Sequence, residues 1–529
     1  MNDLHKKYHT VIIGGGHNGL VAANYLAMAG KKVLLLEKND YLGGAATSQK
    51  VFPDYDAQLS RYSYLVSLFP RQIFRELGLN VSLLQRKIAS YTPYVAAQKQ
   101  TGLLISNVDE RRSENSILGL GCGKSEWEGY QQIVQQQTIF AALVWDSFLE
   151  PLTSKSHFEK VFKDAGQAAL WWAFVEEPIG HFIEKNVASD ILRGVLMTDA
   201  KIGSFTSAYD QSLLQNRTFL YHIVGNKTGE WRVPAGGMGN LSGQLATKAA
   251  EKGAKLICNV DVKNIQLGSP NHAVHFELDG KPYAVDTQYV LSNASSQILE
   301  KLLGNQPPEV ALEDEGSAFK INMLLKKLPA LKDPNVRPED AFAGTFHVNQ
   351  SYAQMEKTFA EAKRGQVPET LAGELYCHTL TDPSILSDEL RQRGFHTLTY
   401  FGLDLPYRLF LSDNQQIKNK IVAKFLMGIN QYLAEPMEDC LARDAEGKLC
   451  LEAKSAFDLE QDLNLPQGNI FHNALAWFFS ENQNEVDTWG VETAHERVFI
   501  CGSSAKRGGA VSGIPARNAI KKILGENLK

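Results

Sequence analysis

Cysteine is scarce, with six in 529 residues, and no two of them form a C-x-x-C pair or sit beside a histidine-rich stretch. A zinc ribbon, a disulfide framework and a dithiol redox centre are therefore excluded as readings, and a reducing compartment fits best. No two histidines or carboxylates occur at helical i, i+4 spacing within a known ligand set, so no metal is expected. Nowhere do about 18 apolar residues run together, as a membrane-spanning helix requires. The opening "MNDLHKKYH" is short and polar, without the apolar core of a signal peptide. The expected location is cytoplasmic, with a peripheral membrane association left open. There is no block of one charge sign: 54 Lys and Arg face 59 Asp and Glu, a net charge of −5. Nucleic acid is not an expected partner. Internal repeats and low-complexity tracts are also missing.

What is present is a globular composition, 44% apolar and 21% charged, in a chain long enough for two or three domains. The most informative stretch is "HTVIIGGGHNGLVAANYLAMAGKKVLLLEK", His9 to Lys38. Val11, Ile12 and Ile13 read as a strand buried on both faces. Gly14-x-Gly16-x-x-Gly19 follows, then a helical pattern, then the apolar strand "KVLLLE". A lone G-x-G-x-x-G says little, but between a strand and a helix it is the fingerprint of a dinucleotide site. Gly14 permits the tight turn, Gly16 lets the backbone approach a pyrophosphate, and Gly19 lets the helix sit close on the sheet. The helix N-terminus offers free N–H groups to the phosphates. Glu37 stands near the offset at which a carboxylate accepts from a ribose diol.

Gly43-Gly44 come next, in "NDYLGGAATS". This second glycine pair resembles the FAD-containing amine oxidases and phytoene desaturases, where it passes the chain beside the diphosphate. The motifs "SRYSYLVSL", "WRVPAGGMGNLS", "VLSNASSQI", "KINMLLKKLP", "GNIFHNAL" and "FICGSSAKRGGAVSG" follow in order along the chain. Together they are similar to the phytoene-dehydrogenase-related branch of that superfamily, the branch containing pyridine nucleotide-disulphide oxidoreductase domain-containing protein 2. The resemblance implies an α/β fold, α+β overall. Its parts would be a Rossmann-like FAD-binding domain of the glutathione-reductase and amine-oxidase type, and an interleaved substrate domain of mixed sheet and helices. The expected FAD domain is discontinuous, residues 1–69, 221–304 and 466–529. Residues 70–220, mostly helical in pattern, and 305–465 would form the substrate domain.

The resemblance also implies site residues. In the FAD site these are Asn18, Lys38 and Ala45, with Asn293 in "SNAS". Arg61 and Tyr62 would approach the flavin edge, and Val262, or Val260 in the alternative register, would meet the adenine. In "GSSAKRGGAVSGIPARNA", Gly502 and Ser503 would approach the diphosphate and ribityl chain, and Val511, Ser512, Gly513 and Ile514 the isoalloxazine ring. Pro515 suits the first turn of a final helix. Lys506-Arg507 replace the His-Pro of close relatives. They are either solvated loop charges or fixed positive charge beside an anionic flavin or substrate.

The implied activity is dehydrogenation or isomerisation of an apolar, polyene- or lipid-like molecule, with oxygen or a quinone as electron acceptor. The alternatives are an amine oxidase and an FAD-containing scaffold without turnover. A homodimer is left open. Lys320, in "SAFKINMLL", either takes the place of the lysine that holds a water beside flavin N5 in amine-oxidase relatives or lies on the solvent face of its strand with Asn322 and Leu324. His222 and His472 are further candidates for proton transfer. Trp171, Trp172 and Phe174 either line a substrate pocket or belong to ordinary core.

Overall fold

A computed structural model describes residues 6–525. The apolar run at Val11 forms the strand Lys7–Ile13, and Val11, Ile12 and Ile13 are buried. It pairs in parallel with Val33–Leu36 on one edge and with Lys281–Ser292 on the other, placing Val11 opposite Leu34 and Val290. Lys255–Ile257 extends the sheet beyond Val33–Leu36. The other edge of Lys281–Ser292 is shared. Its C-terminal end pairs in parallel with Val498–Ile500. Its N-terminal part continues the antiparallel meander of Val260–Gln266 and His272–Leu278. The helix His17–Met28, which joins the first two strands, is buried along nearly its whole length because Met238–Glu251 and Ile514–Leu524 pack on it. A polar tie fixes that packing: Asn24 Nδ2 donates to the Leu245 carbonyl at 2.7 Å.

A second sheet of seven strands runs in the order Leu451–Lys454, Phe319–Leu325, His396–Gly402, Gly373–Tyr376, Thr345–Val348, Ile88–Ala96, Lys99–Ser106. All its pairings are antiparallel except that between Ile88–Ala96 and Thr345–Val348. The helix Asn414–Asn430 covers it with Ile421, Phe425 and Ile429. Between residues 110 and 223 the chain is a layer of helices, among them Lys124–Val144, Asp190–Met197 and Leu214–Ile223. The architecture is mixed α/β with a Rossmann-like sheet. Among the described residues no helix is long and apolar enough to cross a membrane, and all six cysteines are free thiols.

Three points are decided by these packing relations. The stretch 70–220 is mostly helical, as expected, but the hairpin Ile88–Ala96 and Lys99–Ser106 within it supplies two strands of the second sheet. Lys320 is not on a solvent face: all seven residues of Phe319–Leu325 are buried, because strands flank both edges and side chains cover both faces. Trp171 and Phe174 are core side chains packed on Phe162 and Phe140, while Trp172 is 56% exposed, and none of the three lines the central cavity.

Candidate active site

The first strand ends in a turn that only glycine fits well. Gly14 has φ +97°, a conformation that burdens any residue with a Cβ, and its N–H donates to the Leu36 carbonyl at 2.8 Å. The Gly15 N–H donates to Glu37 Oε2 at 2.5 Å and the Asn39 N–H to Glu37 Oε1 at 2.8 Å. The Glu37 carboxylate is thereby fixed at the strand end, where burial raises its pKa against the pull of these N–H donors. The second glycine pair docks on the first. The Gly43 N–H donates to the Gly15 carbonyl at 2.8 Å, and a Cβ on Gly44 would stand 3.1 Å from the Gly16 Cα. The third turn closes in similarly: a Cβ on Gly502 would meet the Asn293 carbonyl oxygen at 2.6 Å.

These turns open into a cavity of about 770 Å³. Gly14, Gly16, Asn18, Gly44 and Ala45 line its first end, with Glu37 and Lys38 beside them. Val260 and Val262 both border it, as do Asn293, Ser503 and Val511. Gly19 and Gly43 stand behind this wall as packing residues, and so does Gly502. Ser512, Gly513 and Ile514 also lie one layer back. The reason is local: Ser512 Oγ accepts from the Ile514 N–H at 3.3 Å, and Gly513, φ +70°, packs on Phe69 and Val21 at the start of the last helix. Pro515 occupies that helix's first turn.

Arg61 departs from its expected place. Its guanidinium is ion-paired with Glu452 and donates to Gln49 Oε1 at 2.7 Å, which turns it away from the cavity, whereas Tyr62 lines it. Neither Lys506 nor Arg507 lines the large cavity; Lys506 is a partly exposed loop charge, whereas Arg507 is not solvated. Lys506 pairs with Glu485 at 3.0 Å. Arg507 is buried, 3% exposed, and donates to the carbonyls of Ser147, Glu150 and Trp489. It clasps the C-terminal loop to the helical layer.

Among the three candidates for chemistry, Lys320 reaches from the second sheet to the segment beside the glycine turns. Its Nζ donates to the carbonyls of Ser60 and Tyr62, both at 2.8 Å. Burial holds its pKa well below the ordinary lysine value; Glu452 pulls it back up and Arg61 pushes it further down. His222 and His472 line the same cavity. His222 Nδ1 lies 2.7 Å from the Thr218 carbonyl, which places a proton on Nδ1. His472 Nδ1 lies 3.3 Å from Ser504 Oγ. Burial lowers both imidazoles to about 4.

The far end of the cavity holds polar groups that the sequence did not single out. Arg86, Glu374, Tyr376 and His347 line it with Asp199 and Tyr64. The Tyr376 hydroxyl donates to Glu374, and His347 Nε2 lies 3.8 Å from the same carboxylate. Burial raises Glu374 to about 7 and Asp199 to about 6, with Arg86 opposing both shifts. Each is a lone residue in its own segment. The nearest thing to a signal is Glu374, a charge within the otherwise apolar strand Gly373–Tyr376, the same pattern that marks Lys320.

The residues present fit FAD. Three glycine turns leave room for backbone contact with a diphosphate, and two buried polar atoms at that end, His17 Nε2 and Asn18 Oδ1, have no partner among the described residues. The cavity is also large enough for a cofactor and a second molecule. Among the described residues no cluster of His, Cys, Asp or Glu is placed to hold a metal ion.

Residues 12–76 match the family described as an NAD(P)-binding Rossmann-like domain. Over its full length the chain is similar to the uncharacterized protein Rv0897c of Mycobacterium tuberculosis, at 43% identity covering 99% of this chain and 98% of that protein. Pyridine nucleotide-disulfide oxidoreductase domain-containing protein 2 of Mus musculus is 28% identical over 98% of this chain and 94% of its own. A polypeptide of the limonene dehydrogenase of Castellaniella defragrans is 22% identical over 98% and 94%. Among solved structures, cyclohexylamine oxidase from Brevibacterium oxydans superposes with a TM-score of 0.56 at 13% identity, covering 97% of both chains. The chain belongs to the family of the mycobacterial protein Rv0897c, and its fold is that of the FAD-dependent oxidoreductases of the amine-oxidase type.

Proposed function

We propose that the protein is an FAD-dependent oxidoreductase that dehydrogenates, or isomerises, a largely apolar small molecule in the manner of the phytoene desaturases. Bound FAD supplies the hydride acceptor, and oxygen or a quinone reoxidises it. The observation that carries this reading is the continuity of one cavity from the glycine turns to the inner face of the second sheet, bridged by Lys320. Hydride transfer asks a protein chiefly for positioning and for exclusion of water. Ala89, Val195, Ile202, Ala318 and Phe401 provide apolar wall for both. Lys320, whose pKa burial lowers, holds a water next to the Ser60–Tyr62 segment. The name of the limonene dehydrogenase relative supports an apolar substrate.

An amine oxidase of the kind that clamps its substrate between two aromatic rings is less well supported. Tyr64 and Tyr376 are the aromatic pair in this part of the cavity, and their centroids are 4.8 Å apart. Rings in direct contact leave no slot for a substrate between them.

The test is spectroscopic. The purified protein is expected to be yellow with bound FAD and to bleach anaerobically with a polyene or lipid extract but not with simple amines. A colourless protein that cannot be reconstituted with FAD refutes the reading. An FAD-loaded protein that no extract bleaches supports a scaffold instead.

A further inference from the structure

The far end of the cavity contains a charge without a close partner. Arg86 is 9% exposed and lines the cavity wall. Its Nη1 donates to Thr345 Oγ1 at 3.0 Å, while its Nε has no partner among the described residues. No carboxylate is within ion-pairing distance of it among those residues, although Glu374 and Asp199 act on it from further away. A guanidinium keeps its proton even when buried, and a buried charge is costly unless an acceptor meets it. The neighbours do not fill that role. Glu374 is engaged by the Tyr376 hydroxyl, and the guanidinium carbon lies 5.9 Å from the Tyr376 ring centroid. Arg86 lines the cavity, so the terminal guanidinium hydrogens that Thr345 leaves free are available to whatever enters it.

We infer that the substrate is an apolar chain ending in a carboxylate, and that Arg86 is the subsite that receives the carboxylate through the terminal guanidinium hydrogens that Thr345 leaves free. This rests on the dehydrogenase reading for what happens to the chain, but the binding itself does not depend on it. Guanidinium is matched to carboxylate by planar, two-point geometry. An amine in the same place would set one positive charge beside another.

The groups facing Arg86 give the subsite a pH signature. They are Glu374 and Asp199, the imidazoles of His347 and His378, both lowered to about 3 by burial and by Arg86, and the phenols of Tyr64 and Tyr376. Lys320 stands behind Tyr64, its Nζ 4.6 Å from that ring. Of these, Glu374 and Asp199 titrate close to neutrality, at about 7 and about 6. An arriving carboxylate favours their protonated forms, so binding takes up a proton and weakens as the pH rises through 7. A bound amine would do the reverse.

The experiment uses the FAD-loaded protein and three probes of equal chain length: decanoate, decanol and decylamine. Binding is followed by perturbation of the flavin absorbance and by calorimetry in two buffers of different ionisation enthalpy. Decanoate is expected to bind about tenfold or more tightly than decanol, the size of a charge-assisted pair. It should bind with proton uptake, and less tightly at pH 8 than at pH 6. In Arg86→Met that preference disappears while FAD content is unchanged; in Arg86→Lys part of it is retained. Tightest binding of decylamine, no preference for decanoate, or loss of FAD in Arg86→Met overturns the inference. If Arg86→Met does not fold, the probe series and proton count on the natural chain decide it. Carboxylate binding without bleaching by any substrate would sink the dehydrogenase reading and leave the subsite standing. Bleaching by hydrocarbons without carboxylate preference would do the opposite.

Discussion

Lys320 Nζ stands 4.6 Å from the centroid of the Tyr64 ring while its hydrogens are held by the carbonyls of Ser60 and Tyr62. The amine is thus held by two carbonyls and the face of one ring, and burial lowers its pKa well below the ordinary lysine value. Substituting Lys320→Met keeps the length and removes the nitrogen. Turnover or flavin reoxidation is expected to fall at least tenfold with FAD content unchanged, as for loss of a group that positions a proton. Stopped-flow kinetics with normal rates would dismiss the residue from the chemistry.

Glu37 is held by two backbone N–H groups, from Gly15 and Asn39. In Glu37→Gln one of those donors meets an amide NH₂ instead of an oxygen, and the charge facing the cofactor's diol is gone. A loss of about 1–2 kcal/mol is expected, or roughly tenfold faster release of FAD. Fluorescence of FAD freed on dilution reads this directly, and equal release from both proteins would contradict the assignment.

Arg507 and Lys506 are adjacent yet should behave differently. Arg507→Ala leaves the carbonyls of Glu150 and Trp489 without this donor, while Ser147 keeps the Glu150 N–H, and a destabilisation of about 3 kcal/mol is expected from losing a buried cluster of this kind. Lys506→Ala breaks a half-exposed pair with Glu485, worth about 0–1 kcal/mol. Chemical denaturation of both variants makes the comparison. An altered flavin potential in Arg507→Ala with unchanged stability would restore a charge-compensating role for this residue.

Acid should unfold the protein well above the usual carboxylate range. Burial lowers His17, His222 and His472 to about 4, and His347 and His378 to about 3. Unfolded histidine titrates near about 6.5, so between that value and 4 the unfolded chain binds more protons. Stability is then complete above about pH 6.5 and is lost as the pH falls. Glu374, Asp199 and Asp404 work the other way, since their folded values of about 7, about 6 and about 6 make the native state bind protons first. The histidines outnumber them. A urea midpoint that drops steadily from pH 7 to pH 5 is the expected result, and a flat profile would contradict it.

The dinucleotide end was legible because close approach to a diphosphate can only be made with small residues, and the glycines Gly14, Gly16, Gly43 and Gly44 stand in a strand–turn–helix context that is itself visible in the sequence. The hairpin Ile88–Ser106 was not. Pro93 interrupts its first strand, and its turn uses Ala97 and Gln98 at φ +46° and +65°, without the asparagine or glycine that normally marks such a turn. Lys320 was visible as a charge in an apolar strand, but whether that strand was buried depended on neighbours at Leu451–Lys454 and His396–Gly402, far along the chain. The polar end of the cavity was hidden for the same reason. Arg86, Asp199, His347 and Glu374 come from four separate segments, and nothing local records that they meet.

The sheet bearing the glycine turns takes its strand Val498–Ile500 from close to the end of the chain, and Gly502 then settles against Asn293. A ribosome makes the first strand long before the closing one. At about 5–20 residues per second, the opening turns wait roughly 25–100 s for the piece that completes their pocket. During that wait the edge of Lys281–Ser292 that will receive the closing strand is unpaired, and such an edge is sticky. Flavin acquisition is therefore expected only after Val498–Ile500 has been made and paired.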